Sequence, residues 1–303
     1  MSARAGRIPQ WFLWAVLAVV CWGLWAITSK LIGDALSAGQ SQAVSTLGIL
    51  PVLWFLERYS KPERRHSEAK EKLRKGRVPA IAAGLAVCVG NVAYYHALKI
   101  GGKAATVVSV TALYPLVTVL LAILILREKF NLVQMIGIAL SLVSIAIFNI
   151  ASAEGVLTGW LAYALVPVVL WGVGGLLQKI STNCVSGEAS TFWFLLAFIP
   201  VSVALLAWEP LRVMPSGRTW ALVMALGSLF GLGNLAILFA FARDGKASII
   251  APLAGLYPVV SIPVAILFLG ERVTAKEWIA IALALVAVVA LAFEGKKTNE
   301  ETN

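Results

Sequence analysis

The residues of this chain that could do chemistry are few, and most of them come in pairs. Asn91 and Asn234, Tyr114 and Tyr257, Lys103 and Lys246, Glu128 and Glu271, and the prolines Pro115 and Pro258 each stand 143 positions apart. Trp22 and Trp171 recur at a spacing of 149. None of these sets makes a catalytic centre. The two histidines, His66 and His96, lie in no motif, and there is no HExxH, no paired aspartate and no serine placed with a histidine. There is no GxxxxGK[ST] to cradle a nucleotide phosphate either. An enzyme, an ATP-driven pump within this chain and a bound cofactor are therefore not expected. Cys21, Cys88 and Cys184 are far apart with no histidine partner, so they read as small packing residues, not as a metal or disulfide site. What the pairs can do is line a path, bend and latch. Amides and phenols in an apolar medium must find partners or face water, prolines free a backbone carbonyl one turn back, and lysine–glutamate sets can close and release.

The elements that position them follow from composition. Sixty per cent of the 303 residues are hydrophobic, 13% are charged, and mean hydropathy is +0.87, far from the values of a soluble domain. A helical span needs about 20 apolar residues, and runs of that length fall at 10–33, 38–56, 79–98, 104–126, 132–150, 157–180, 186–208, 218–242, 246–269 and 275–293. The expected fold class is an all-α membrane protein of ten transmembrane helices. The first run follows two arginines as a signal peptide would, but it is too long and has no small-x-small cleavage site, so it reads as a span. Strands are not expected, because the runs are continuous and do not alternate.

Charge sets the orientation. The net charge of +10 suits loops held on the cytoplasmic side better than nucleic acid, which is not an expected partner. With the N-terminus inside, 18 of the 25 lysines and arginines face the cytoplasm, nine of them in the hydrophilic connector 57–78, a topological anchor. Lys30, Lys99, Lys103, Arg212, Arg218, Arg272 and Lys276 face outward. The expected location is the plasma (inner) membrane, multi-pass, with both termini cytoplasmic.

The pairs belong to a longer repeat. Residues 90–148 and 233–291 align without gaps at 22 identities in 59 positions, and "CWGLWAITSK" at 21–30 rhymes with "LWGVGGLLQK" at 170–179. Five spans per copy is an odd number, so the second copy, 152–303, enters the bilayer upside down relative to the first, 1–151. Inverted repeats of this kind place a substrate site at their interface and let access alternate between faces.

The tryptophan–glycine pair early in each half, the "GN" of the third and eighth spans, "GKA", "LYP" and the closing "LREK" and "LGER" resemble EamA-type members of the drug/metabolite transporter superfamily. The resemblance covers nearly the whole chain, once per half. It implies a secondary transporter, an exporter or exchanger of a small organic metabolite, amino acids among the candidates. The alternative of the same fold is a non-transporting scaffold or receptor. The second span lacks the arginine often seen near its start in that family, and no site residue is assigned to it.

On these grounds Trp22, Asn91, Tyr95, Tyr114, Trp171, Asn234 and Tyr257 are expected along the substrate pathway, Pro115 and Pro258 at hinges, and Lys103, Glu128, Lys246 and Glu271 at gates, with each carboxylate pairing with a basic residue when its side closes. No acidic residue falls mid-span, so coupling to protons would have to use an edge residue such as Glu188 or His96. Gly84 and Gly227 mark close helix packing. The partners are the bilayer and a small solute. A monomer holds both halves of a site and a dimer is compatible.

Overall fold

The protein is described by a computed structural model covering residues 9–66, 70–126, 131–151, 159–242 and 254–291. Among these residues every regular element is helical. In chain order the α-helices are α1 (Gln10–Ile32), α2 (Ala38–Ser45), α3 (Leu50–His66), α4 (Lys70–Lys99), α5 (Ala104–Thr111), α6 (Tyr114–Leu126), α7 (Leu132–Ala151), α8 (Gly159–Thr182), α9 (Gly187–Leu196), α10 (Phe198–Trp208), α11 (Gly217–Ala242), α12 (Pro258–Leu269) and α13 (Ala275–Leu291).

Among the described residues seven segments are long and apolar enough to cross a bilayer: Gln10–Ala35, Leu73–Lys99, Ala104–Ile125, Leu132–Ile150, Gly159–Thr182, Gly187–Trp208 and Gly217–Ala240. The other three expected spans differ for identifiable reasons. The second carries the polar stretch "AGQSQAVST" and is broken into α2, a 3₁₀ turn at Thr46–Ile49 and α3. The ninth is described only as the shorter apolar helix Pro258–Leu269, since residues 246–253 lie outside the described residues. The tenth is the 17-residue α13.

Among the described residues, the hydrophilic connector is helical: α3 runs on to His66 and α4 starts at Lys70, in keeping with the good helix propensity of Glu, Lys and Arg.

Each proline expected to kink a helix instead begins one. The fourth span stops at Thr111, turns through Ala112 and Leu113, and restarts at Tyr114 with Pro115 in its first turn. Pro258 is likewise the first residue of α12, after a turn at residues 255–257. A proline at that position lacks only a donor that has no helical partner anyway, so the break is cheap. The backbone bonds through the break by tighter steps: the Ala112 N–H donates to the Val108 carbonyl at 2.9 Å, the Leu113 N–H to that of Val110 at 3.1 Å and the Leu116 N–H to that of Leu113 at 2.9 Å.

Packing follows the sequence pairs. α1 lies along α11 and α4 along α8, while α7 pairs with α13. Glycines permit the close approaches. A Cβ on Gly90 would stand 2.8 Å from the Trp171 ring, and Gly233 is pressed in the same way against Trp22. Gly23 backs onto Val260 and the Tyr257 carbonyl, and Gly172 onto Val117 and the Tyr114 carbonyl. Gly227 meets Ser45 and Gly48, while Gly84 meets Phe194 and Ala197. All of these contacts occur twice, at residues related by the 143 and 149 spacings. α7 and α13 start alike too, with reciprocal caps between Asn131 and Gln134 and between Thr274 and Glu277.

Candidate functional site

A cluster of aromatic rings lies where α1, α4, α8 and α11 meet. Trp25, 4% exposed, stacks on Tyr94 at 5.1 Å and 18°, and its ring also lies within 6.0 Å of Tyr95, Trp171 and Phe230. Its indole N–H donates to the Tyr95 hydroxyl at 3.2 Å, and the Tyr94 hydroxyl donates to the Ala26 carbonyl at 3.1 Å. Buried aromatics with polar tips need such partners. Tyr114 reaches the cluster through an edge contact with Trp171 at 6.3 Å.

Of the expected pathway residues, Tyr95, Trp171, Asn91 and Tyr114 come together around this group. Asn91 is 1% exposed and its Oδ1 accepts from the Trp171 indole at 3.1 Å. Trp22 and Asn234, the corresponding pair, do not repeat that bond. Among the described residues the Trp22 Nε1 is buried without a hydrogen-bond partner, and the Asn234 Nδ2 turns back to the Phe230 carbonyl at 2.8 Å. Tyr257 is elsewhere, at the break between α5 and α6, where its hydroxyl meets Thr111 at 3.2 Å. His96 packs edge-on against Tyr163 at 4.3 Å.

The two tryptophans should therefore respond unequally to the same substitution. Trp171→Phe strands the buried Asn91 acceptor and is expected to destabilise by about 1–3 kcal/mol, whereas Trp22→Phe removes a donor that bonds nothing. Thermal unfolding of both variants in detergent checks this; equal shifts would contradict it.

One end of the bundle is tied shut by polar contacts. Lys30 Nζ donates to the carbonyls of Leu98 and Gly102, both at 2.7 Å, and Lys99 donates to the Gly33 carbonyl, so the ends of α1 and α4 cap each other. Among the described residues Glu271 forms no ion pair with a basic side chain. Its two carboxylate oxygens accept the backbone N–H groups of Ala104 and Ala105 at 2.6 and 2.9 Å, closing the N-terminus of α5 from across the fold. Lys103, the residue before that helix, has no acceptor to offer as a cap, and a carboxylate at a helix N-terminus is stabilised by the helix dipole. Lys103 reaches instead to Glu277, with Nζ 2.8 Å from both oxygens. Glu277, 8% exposed, is the one charged side chain among the described buried residues, and it also caps α13. Glu128 and Lys246 lie outside the described residues.

Trp25, Tyr94, Phe230 and Glu277 were not expected at the site. Trp25 and Glu277 have no copy: the 149 spacing puts Gly174 opposite Trp25, and the 143 spacing puts Gln134 opposite Glu277. Among the described residues no group of three or more His, Cys, Asp or Glu side chains is placed to hold a metal.

The model of the EamA-like transporter family matches the chain twice, over residues 9–150 and 158–293. The chain belongs to the EamA-like transporter family. It is an integral, multi-pass membrane protein of a family of transporters. This EamA-like protein is 30% identical over 137 residues to an uncharacterized protein of Methanocaldococcus jannaschii, a stretch that is 45% of this chain and 94% of the relative. It is 26% identical over 137 residues, 44% of this chain and 96% of the relative, to a protein of a Sinorhizobium species described as an uncharacterized transporter. A crystal structure of a protein 20% identical in sequence superimposes with a TM-score of 0.61 over 92% of this chain and 94% of its own, which shows the shared fold.

Proposed function

We propose that the protein is a secondary transporter that moves a small organic metabolite, amino acids included, out of the cell or in exchange. It works by alternating access between two inverted five-helix halves, 1–151 and 152–303, giving ten spans with both termini cytoplasmic in the plasma (inner) membrane. Several observations support the doubled architecture: the repeated glycine contacts, the two matches of one family model, and two relatives that are each nearly covered by less than half of this chain. The observation that carries the mechanism is a difference between the copies. The Trp171–Asn91 bond is made, while Trp22 and Asn234 stand apart in otherwise matching surroundings. A carrier built from inverted repeats has its halves in different states at any moment and exchanges them during transport.

In this reading the end closed by Lys30, Lys103, Glu271 and Glu277 is the outer gate, and Lys246 and Glu128 belong to the inner one. Trp22, Asn91, Tyr95, Tyr114, Trp171, Asn234 and Tyr257 line or border the path. The breaks at Pro115 and Pro258 let the half-helices move. With no acidic group mid-span, the pathway is largely neutral and supports facilitated diffusion or exchange, or coupling through Glu188 or His96.

Flux in proteoliposomes, with and without a pH gradient, tests the proposal. Movement of a metabolite pool from cell extract is expected, and Pro115→Ala and Pro258→Ala should reduce it more than they reduce insertion. No flux of any solute would return the scaffold or receptor reading.

A further inference from the structure

The segment joining α10 to α11, "EPLRVMPS" at residues 209–216, is unusual for a loop in water. Val213 and Met214 are 81% and 75% exposed, and Trp208, the last residue of α10, is 91% exposed. Three large apolar side chains left bare at a helix end belong in a bilayer interface, where an arginine among them holds its charge at headgroup level.

This segment closes a cavity of about 330 Å³ against the turn after α1 and the start of α2, with Gln40, Trp208, Glu209, Arg212 and Val213 in its lining. A cleft of that size holds a small ligand. Its two walls are tied together. Ser37, which caps α2, donates its hydroxyl to Glu209 Oε2 at 2.7 Å, and Gln40 Nε2 donates to the Pro210 carbonyl at 3.2 Å. A carboxylate offers about four acceptor positions, so Glu209 keeps room for further donors. Arg212 stands three positions from Glu209, yet the two form no ion pair with each other among the described residues. An anion alone would meet the carboxylate in this cavity, and a cation alone would meet the guanidinium. A group carrying both charges finds a partner for each. The pair has no copy, since the 149 spacing puts Ser60 and Glu63 opposite Glu209 and Arg212.

We propose that this cavity binds the headgroup of an amine phospholipid, its ammonium on Glu209 and its phosphodiester on Arg212, with the acyl chains passing Trp208, Val213 and Met214. A primary ammonium brings three N–H donors to the carboxylate, and a guanidinium fits phosphate oxygens two at a time. A choline headgroup has no N–H and a glycerol headgroup has no cation, so each matches only part of the site. A soluble zwitterion such as a free amino acid would leave the bare apolar side chains uncovered, which a lipid does not. The site lies at the end of the bundle where Lys99 bonds the Gly33 carbonyl, and it does not depend on which solute crosses the protein.

Native mass spectrometry tests this on the full chain, released from micelles holding equal amounts of palmitoyl-oleoyl phosphatidylethanolamine, phosphatidylcholine and phosphatidylglycerol. Phosphatidylethanolamine adducts should exceed each of the others by about fivefold, the effect of one charge near a bilayer surface. Glu209→Gln, which still accepts the Ser37 hydroxyl, should erase the preference over phosphatidylcholine, and Arg212→Gln should weaken binding of all three lipids. Both side chains are exposed, so neither variant should lower the melting temperature. Glycerophosphoethanolamine, the same headgroup without chains, should not displace the lipid at equal concentration. Equal adducts of the three lipids, a preference that survives in Glu209→Gln, or undiminished binding in Arg212→Gln would overturn the proposal. Full displacement by the chainless headgroup would overturn it in favour of a soluble zwitterion, and a variant that unfolds would do so by making its residue part of the scaffold.

Discussion

Gly227→Leu is expected to abolish recovery of a folded bundle. At Gly227 the α11 backbone rests on the Ser45 carbonyl and on Gly48, and Gly48 in turn has the Met224 carbonyl and the Ser228 amide at 2.5 and 2.7 Å from where its Cβ would be. The two chains meet backbone to backbone, with no side chain between them that could rotate away. Overpacking in a core ordinarily costs about 1–3 kcal/mol. Here the obstructing atoms belong to helices, so α2 or α11 would have to separate along its length, and a cost of about 4 kcal/mol or more follows. Gly84→Leu, whose Cβ would meet the Phe194 carbonyl and Ala197, should fail in the same way. Gly217→Leu is the control, as nothing lies within 4 Å of its Cβ position. The yield of monodisperse protein by size-exclusion chromatography reads the result; normal yield of Gly227→Leu would contradict this account of the packing.

Glu271→Ala is expected to open the sealed end. The Ala104 and Ala105 amides belong to fully buried residues, and α5 has no cap from its own side chains. Without the carboxylate each N–H loses its acceptor, at about 1–3 kcal/mol apiece while the seal stays shut, together with the favourable charge at the helix N-terminus. Opening to water relieves that cost. A cysteine at Ser109, itself 0% exposed, placed in a background with Cys21, Cys88 and Cys184 changed to alanine, should then react with an impermeant maleimide at least about tenfold faster. That rate is the penalty of one unmet donor expressed as a population shift. Glu271→Gln, which keeps one acceptor, should fall between. Unchanged labelling in Glu271→Ala would mean that the carboxylate is not what holds this end.

What sequence could and could not reveal divides along the repeat. Residues copied in both halves announced themselves by spacing, and Gly90, Gly233, Trp22, Trp171 and Glu271 all stand at helix contacts. Residues present once carried no such signal. Trp25 faces Gly174 across the copies, and Glu277 faces Gln134. The type of each alone is unremarkable in an apolar helix or at a helix end. Their importance comes from which neighbours the fold brings within reach, 70 positions away for Trp25 and Tyr95 and 174 for Lys103 and Glu277. The prolines are ambiguous for a different reason: a proline inside an apolar run is equally compatible with a kinked helix and with two helices end to end.

The arrangement of the halves is tested most directly by the sidedness of the two chain ends. With tags fused to residues 1 and 303, protease or impermeant-label access in intact cells and in inverted membrane vesicles should place both tags on the cytoplasmic face. Tags on opposite faces would require an odd number of crossings, and two five-span halves inverted about one pathway could not then describe this protein.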